Sequence, residues 1–297
     1  MKKISVIIVT YNSEKHIYDC LDSIAAYNDI GAELEIIIVD NCSKDFSIMK
    51  SSILERYPDV KIISNTQNGG YGQGNNIGIR LATAPYIMVM NPDVRMKEPV
   101  FKKVFKYFEN NKKCVMYGMQ QEIPGYNKKG LSFGWTFRSN IYIGAVMLFI
   151  LKRLNIYWQK YMYFTGSCFF VRKSSFENVG LFDENIFMYS EEDDIHGRLL
   201  ALSGAEFKYD KKLKYCHLHI PEYGSLAGYV KILKRDLDSK LYWNKRDGFT
   251  KEYTINKCIQ IANTFLMREH LRFFLKRSNR EYFSLMSKWK DYLSESL

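Results

Sequence analysis

The sequence lacks several features that define common classes of protein. Its six cysteines are scattered and form no Cys-x-x-Cys pair, which argues against a zinc ribbon and a thioredoxin-type redox centre. No stretch approaches the roughly 18 apolar residues of a membrane span. The apolar run near the N-terminus is too short for a secretory signal, and no small-residue cleavage site follows it. These absences predict a cytoplasmic protein with reduced thiols.

The composition is that of a folded protein with an excess of positive charge. The 297 residues suffice for one large α/β domain with an appendage or for two small domains. An apolar share of 46% and a charged share of 25% exclude a disordered or collagen-like chain. The net charge is +11, from 43 Lys and Arg against 32 Asp and Glu. Such a chain is attracted to phosphates, whether of nucleic acid, anionic lipid or a nucleotide-linked substrate.

The first ninety residues predict alternating strands and helices. Near-continuous apolar runs at 4–9, 34–39, 60–64 and 86–90 are typical of buried parallel strands. Segments of helical length lie between them, at 14–27, 46–57 and 76–82. This order indicates an open parallel sheet with right-handed crossovers. Ligands of such sheets bind at the carboxyl ends of the strands.

Polar clusters follow three of these strands, at 10–13, 40–43 and 91–93. Asp40 could accept hydrogen bonds from a nucleobase or a ribose hydroxyl, or it could instead cap the next helix. Asp93 could bind a hard divalent cation, which prefers oxygen ligands. The alternative is that Asn91-Pro92-Asp93 is a simple turn.

Residues 65–78 are rich in glycine and asparagine. We expect a loop whose backbone N–H groups approach a ligand, because glycine adopts conformations closed to other residues. A dinucleotide-binding glycine fingerprint would follow the first strand. That turn holds Tyr11-Asn12 and no glycine, which argues against a dehydrogenase.

Four consecutive carboxylates, at 191–194, open a predicted helix that runs to about residue 203. They complement the helix dipole, but four together repel one another and raise at least one pKa, as a general base requires. Further on, His217 and His219 lie in a strand-like stretch whose alternation places both on one face. They could serve as a metal ligand and a phosphate contact, or either could be a partly buried structural histidine.

Two segments carry the excess charge. No acidic residue occurs between Ile123 and Phe176. Within that stretch, the apolar run 141–151 predicts either an interfacial or acceptor-binding helix or a buried core helix. From Lys231 onward, a tail of helical pattern holds 15 Lys and Arg against 8 Asp and Glu. A basic surface that faces an anionic membrane would explain why the net charge of this tail is positive.

The combination of these motifs resembles the family-2 glycosyltransferases of the GT-A fold, over about residues 3–225. The resemblance rests on the order and spacing of several segments rather than on any one of them. These segments are IIVTYNSEKHIYDCLDSI from residue 7, VDNCS, NGGYGQGNNIG, NPD in place of the family's Asp-x-Asp, TGSCFFVRKSSFENVGLFDE and FMYSEEDDIHGRL. The Asn-Pro-Asp and glycine-tyrosine-glycine elements are similar to those of rhamnosyltransferases and galactofuranosyltransferases of bacterial surface polysaccharide synthesis.

The resemblance implies roles for particular residues. The nucleotide-sugar donor would be bound by Thr10, Tyr11, Asn12, Asp40, Asn41, Gly70, Asn76, Asn91 and Pro92. A divalent metal, Mg²⁺ or Mn²⁺, would be bound by Asp93 and His217. The acceptor would lie near Gly166 and Ser167. The catalytic carboxylates would be Glu192, Glu191 and Asp194, with either glutamate as the base.

The resemblance also implies a fold, a domain plan and a reaction. We expect a mixed α/β sheet with flanking helices in a GT-A domain over 1–225, divided into a nucleotide-binding half (1–95) and an acceptor and catalytic half (96–225). A basic helical extension would occupy 226–297. The reaction would be inverting transfer from dTDP-rhamnose or a UDP-hexose to a glycan or lipid-diphosphate-linked acceptor, as in O-antigen or capsule synthesis.

We expect the protein to lie at the inner face of the cell membrane, bound to its anionic surface. Nucleic acid is not an expected partner, and oligomerisation stays open. The rival interpretations are a non-catalytic basic protein that binds nucleic acid or a membrane, and a catalytically silent scaffold of the same fold. The carboxylates at 191–194 would repel a nucleic acid and argue against the first.

Overall fold

The computed structural model of the protein describes residues 1–124, 132–218, 226–274 and 280–297. These residues form two compact units. The sheet unit comprises residues 1–124, 132–134, 162–187 and 191–218, and the helical unit comprises 135–161, 188–190, 226–274 and 280–297. The expected division of the chain between 225 and 226 borders a segment outside the described residues. Residues 135–161, which we had assigned to the first domain, group with the C-terminal helices.

Strands and helices alternate through the first half of the chain. The strands are β1 Ile4–Thr10, β2 Leu34–Asp40, β3 Lys61–Ser64, β4 Tyr86–Met90, β5 Val94–Met96, β6 Cys114–Glu122, β7 Phe133–Trp135, β8 Met162–Phe164, β9 Cys168–Arg172 and β10 Glu206–His217. The helices are α1 Glu14–Ala26, α2 Phe46–Arg56, α3 Gly70–Leu81, α4 Phe101–Asn110, α5 Ile141–Leu154, α6 Lys173–Asn178, α7 Glu191–Leu200, α8 Leu226–Arg246, α9 Lys251–Phe274 and α10 Arg280–Glu295. A short 3₁₀ helix covers Gly31–Glu33.

The main sheet has eight strands in the order β3-β2-β1-β4-β9-β6-β10-β5. The first four strands of the chain pair in parallel, as their continuous apolar runs predict. Strand β9 is antiparallel to both of its neighbours, and β5 is antiparallel to β10. The mixed α/β sheet with flanking helices and a helical C-terminal region is therefore confirmed.

The core of the sheet unit lies beside the central strands. Ile4, Val6 and Ile8 on β1 are fully buried, and the inner faces of α1, α2 and α4 cover them and their neighbours. Full burial of an aliphatic side chain contributes about 1.5–3 kcal/mol, so this layer holds the strand ends in fixed positions. Those ends carry the polar residues of the candidate site.

Two elements differ from the expected ones. Helix α3 begins at Gly70 rather than near Asn76, so nine of the fourteen residues of the expected glycine-rich loop are helical. The expected helix over 141–151 is present as α5, but it is not the buried core helix of the second alternative, since much of its apolar surface is exposed.

Candidate active site

The polar residues predicted from the sequence meet at one edge of the main sheet. Thr10 ends β1, Asp40 ends β2 and Asn91 directly follows β4. Because β9 runs antiparallel, its first residues lie at this same edge, and the Asn91 N–H donates to the carbonyl of Ser167 at 2.9 Å. Strand β10 ends here as well, at His217. All of these residues belong to the sheet unit.

Asp40 holds the two loops that follow β1 and β2 together. The carboxylate has no exposed surface and accepts hydrogen bonds from the Thr10 hydroxyl at 2.9 Å and from the N–H and hydroxyl of Ser43 at 2.8 and 2.5 Å. The Asn12 N–H in turn donates to the Ser43 hydroxyl at 2.7 Å. Asp40 thus lies buried behind the two loops, and its expected contact with a nucleobase or ribose stays a prediction.

The backbone of these loops presents Tyr11 to solvent. Asn12 and Cys42 adopt left-handed conformations, with φ of 49° and 67°, which are uncommon for residues other than glycine. Tyr11 is 51% exposed beside them. A flat exposed ring at the carboxyl end of β1 is suited to stacking on a base.

The glycine-rich segment packs a helix closely against the sheet. A side chain on Gly74 would lie 2.7 Å from a methyl carbon of Val9, and one on Gly78 would lie 2.5 Å from a methyl carbon of Ile7. Gly70 has a φ of 83° and no room for a Cβ, which would overlap the carbonyl of Phe187. These glycines are therefore needed for close packing of α3, and the expected open loop that presents N–H groups is wrong for this part of the segment.

Two asparagines from the predicted donor site have structural contacts. The Asn41 side-chain N–H donates to the Gly70 carbonyl at 2.9 Å. Asn76 is fully buried, donates to the Phe182 carbonyl at 2.9 Å and accepts from the Phe182 N–H at 3.1 Å. Asn76 therefore attaches α3 to the segment before α7, and its amide does not reach the open edge of the sheet.

Asp93 and His217 form a pair at the far side of the same edge. The antiparallel pairing of β5 with β10 sets His217 opposite Val94, and this places the His217 Nε2 3.3 Å from an Asp93 carboxylate oxygen. Burial acts to raise the pKa of Asp93, but the hydrogen bond with His217, the charge interactions with His217 and His16 and a backbone hydrogen bond together outweigh it and lower that pKa below its ordinary value. Arg95 fixes the turn by donating to the Pro92 carbonyl at 3.0 Å.

The geometry of this pair is compatible with a divalent metal. Neighbouring ligands of an octahedral ion lie about 3 Å apart when each bond is about 2.1 Å, close to the observed separation of the two side chains. Within the described residues no group of three or more His, Cys, Asp and Glu side chains could hold a metal, so a donor diphosphate and water would have to supply the other ligands. His219 lies outside the described residues.

The four carboxylates at the start of α7 have different environments. Glu191, Asp193 and Asp194 are buried, whereas Glu192 is partly exposed. Asp194 has no exposed surface and pairs with Arg198 at 2.6 Å; Arg198 also donates to the Val179 and Leu181 carbonyls. Asp194 therefore fastens α7 to the preceding segment and does not face the open edge.

Glu192 lies directly against the start of β9. One carboxylate oxygen accepts a hydrogen bond from the Gly166 N–H at 3.0 Å. A Cβ on residue 166 would overlap that carboxylate, so a side chain there would displace Glu192 from its present position. Since Ser167 bonds to Asn91 on the next strand, the series from Asp40 and Thr10 through Asn91 and Gly166 to Glu192 is one continuous edge.

Sequence reasoning missed three residues that hold this part of the site. The Tyr71 hydroxyl donates to the Gly166 carbonyl at 2.6 Å. The Ser167 hydroxyl lies 2.9 Å from the Tyr215 hydroxyl and 3.2 Å from the Gln121 amide oxygen. Burial, reinforced by the carboxylates of Glu192 and Glu191, raises the pKa of Tyr71 well above its ordinary value, so its hydroxyl stays a donor. The tyrosine of the glycine-tyrosine-glycine element was the available signal.

A strand edge that carries an exposed aromatic ring, an aspartate–histidine pair and a partly exposed glutamate is chemically suited to a group-transfer enzyme. Comparison with known proteins agrees, because the model of glycosyl transferase family 2 matches residues 5–180. The chain belongs to this family.

Three relatives indicate the range of activities around this sequence. The hexosyltransferase Agl10 of low-salt glycan biosynthesis in Haloferax volcanii is 28% identical over 64% of this chain and 59% of its own length. The rhamnosyltransferase WbbL of Escherichia coli is 29% identical over 69% of this chain and 79% of its own. The N-acetylglucosaminyl-diphospho-decaprenol L-rhamnosyltransferase of Mycobacterium tuberculosis is 25% identical over 65% and 69%.

The match covers less than two thirds of several relatives: 59% of Agl10 and under a third of some longer proteins. Among solved structures, the mannosyltransferase PcManGT from Pyrobaculum calidifontis, in complex with GDP-mannose and Mn²⁺, matches with a TM-score of 0.63. It is 13% identical over 99% of this chain and 86% of its own. This likeness confirms the GT-A fold.

Proposed function

We propose that this chain is an inverting, metal-dependent transferase that moves a sugar from dTDP-rhamnose or a UDP-hexose to a glycan or lipid-diphosphate-linked acceptor in cell-surface polysaccharide synthesis. The observation that carries the proposal is the position of Glu192. It is the partly exposed member of the four carboxylates that open α7, and it is held against β9 at the edge where the donor-side residues lie.

The exposure of the carboxylates favours Glu192 over Glu191 as the general base. Glu191 is 3% exposed, so an acceptor hydroxyl would not reach it without movement of α7. Glu192 has one oxygen bonded to the Gly166 N–H, and this fixes the carboxylate while the second oxygen takes the proton. The acceptor oxygen then attacks the anomeric carbon, the bond from that carbon to the diphosphate breaks, and the configuration inverts.

The donor side of the site would bind the nucleoside diphosphate. Tyr11 would stack on the base, while Thr10 and Asn12 border it and Asp40 keeps their loops in place through its buried hydrogen bonds. Asp93 and His217 would hold the metal against the diphosphate, beside Asn91 and Pro92. When bound, the metal neutralises the negative charge that develops on the leaving group.

The activities for which the relatives are named support the choice of substrates. WbbL and the mycobacterial enzyme are rhamnosyltransferases, and the name of the latter specifies a diphosphate-linked lipid acceptor. Agl10 is a hexosyltransferase. Because these names differ in sugar and acceptor, the donor is best identified by direct measurement.

The test is a thermal-shift screen of nucleotide sugars with Mn²⁺, Mg²⁺ or EDTA. A bound donor stabilises the folded protein by mass action and so raises its melting temperature. At a donor concentration of a hundred times the Kd, the stabilisation is about 2.7 kcal/mol. We expect one nucleotide sugar to raise it most, in the presence of metal. If no nucleoside diphosphate or sugar nucleotide stabilises the protein under any of these conditions, the proposal is wrong.

A further inference from the structure

Helix α5 exposes an unusually large apolar surface. Ile143, Val146 and Phe149 are 60%, 62% and 70% exposed. The same helix and the segment after it also expose Tyr142, Ile150, Leu154, Ile156 and Trp158. A surface helix of a globular protein normally turns polar residues outward, and contiguous exposed apolar patches mark sites of interaction.

The spacing of these residues places them on one side of α5. At 100° per residue, Tyr142, Ile143, Val146, Phe149 and Ile150 lie within about a third of a turn of one another. The opposite side, with Ile141, Gly144 and Leu151, is buried, and a Cβ on residue 144 would overlap the Trp135 indole. The helix is thus fixed to its own unit by one apolar side and leaves a second apolar side open.

The segment that carries this apolar face has charge of a single sign, although Arg138 within it pairs with Asp247. Residues 135–161 contain four Lys and Arg and no acidic residue, and Arg153 is exposed within the face itself. Together with residues 220–297, the other sequence assigned to the helical unit, they hold 19 Lys and Arg against 9 Asp and Glu. The occupant of the face must therefore be apolar at the point of contact and anionic around it.

We propose that α5 lies flat in the interface of an anionic phospholipid bilayer, with Val146 and Phe149 among the acyl chains and the basic residues at the headgroups. A helix of this kind binds through buried apolar area together with attraction to anionic lipid. Its 14 residues span about 21 Å, which is too short to cross a bilayer. No helix in the described part of the chain has the length and apolar character of a membrane span.

The same charge argues against a second copy of this chain as the occupant. Two copies that met through α5 would bring together two units that each carry a net charge of +10, and like charges in contact oppose association. An anionic membrane surface is instead attracted by that positive charge. The proposal does not require the catalytic assignment, but it would bring the enzyme to a lipid-linked acceptor.

The test is co-sedimentation of the full chain with vesicles of phosphatidylglycerol and phosphatidylcholine. We expect V146D/F149D to weaken binding about tenfold or more, because two exposed apolar side chains are replaced by anions. The matched control is Ile48→Asp, which alters a residue that is 69% exposed on α2 of the sheet unit, and binding should stay within about twofold of wild type. Pure phosphatidylcholine or 0.5 M salt should also weaken binding of the wild type.

Equal binding of wild type and V146D/F149D would overturn the proposal, as would equal binding to neutral and anionic vesicles. Sedimentation velocity without lipid measures the oligomeric state and so tests whether a second copy of the chain occupies the face. If wild type is a dimer and V146D/F149D a monomer, the face is an interface between copies and the proposal is wrong. The melting temperatures of both variants should match wild type, because all three positions face solvent.

Discussion

The two units of this protein use charge and apolar surface in opposite ways. The sheet unit, over residues 1–134, 162–187 and 191–219, has 24 Lys and Arg against 23 Asp and Glu, whereas the helical unit has 19 against 9. Buried carboxylates in the sheet unit have specific partners, as Asp40 and Asp194 show. The helical unit instead exposes apolar side chains along α5. Charge that is balanced by local partners fixes side chains over a few ångströms, while an excess of one sign attracts a distant anionic surface.

The largest expected effect is on turnover, from Glu192→Gln in the sheet unit. Loss of a general base lowers the rate about 10²–10⁴-fold, while the donor-induced rise in melting temperature should persist. Glu206→Gln is the matched control, since Glu206 is exposed in the same unit and should leave turnover unchanged. Turnover of Glu192→Gln equal to wild type would exclude this residue as the base.

A smaller effect is expected on stability from Gly70→Ala. A left-handed alanine costs about 1–2 kcal/mol, and overlap with the Phe187 carbonyl adds about 1–3 kcal/mol. Gly180→Ala is the control, because Gly180 has a φ of 85° with open space around it. That substitution should therefore show only the cost of a left-handed alanine, without the overlap. Urea unfolding measures both. Equal losses would mean that α3 can shift to admit a side chain at residue 70.

The parts of this account that the sequence predicted are those with a strong local pattern. Continuous apolar runs identified four parallel strands, and polar residues after them identified Asp40, Asn91 and Asp93 as lying at one edge. Helix α7 was predicted from its row of carboxylates. The resemblance to a family of glycosyltransferases, which rests on several motifs in order, is confirmed by the family match.

What the sequence could not supply were contacts across the fold. Whether glycines form a loop or a closely packed helix depends on the Val9 and Ile7 side chains opposite them. Burial of Asp40, Asn76 and Asp194 is likewise a property of the assembled structure. The bond from Tyr71 to Gly166 joins residues 95 positions apart, so the glycine-tyrosine-glycine element could mark the tyrosine but not its partner.

Tyr71→Phe tests the positioning of Glu192 from the other side of Gly166. Loss of one hydrogen bond costs about 0.5–1.5 kcal/mol, and we expect kcat to fall about three- to tenfold at an unchanged donor KM. Tyr117→Phe is the matched control, because it removes a buried hydroxyl that donates to Asp210 at 2.8 Å elsewhere in the sheet unit. If both variants lower kcat equally, the effect of Tyr71 is one of general stability.

The smallest expected effect is the contribution of Glu35 to acid stability. Burial acts to raise its pKa, but hydrogen bonds from Lys61, Ser5 and Thr83 outweigh this and lower the pKa below the ordinary 4.5. The stabilisation is therefore complete above about pH 4.5 and is lost as the pH falls through the lower, folded-state value. Glu35→Gln should reduce the slope of unfolding free energy against pH below pH 4.5; an unaltered slope would contradict this.

The most direct test of the donor and metal site is calorimetric titration of the donor that the thermal-shift screen selects, in Mn²⁺ and in EDTA. Wild type and Glu192→Gln should bind it equally in Mn²⁺ and at least about tenfold more weakly in EDTA. Asp93→Asn should bind it weakly in both. Loss of donor binding in Glu192→Gln, or metal-dependent binding that survives in Asp93→Asn, would contradict the assignment of the base and of the metal ligand.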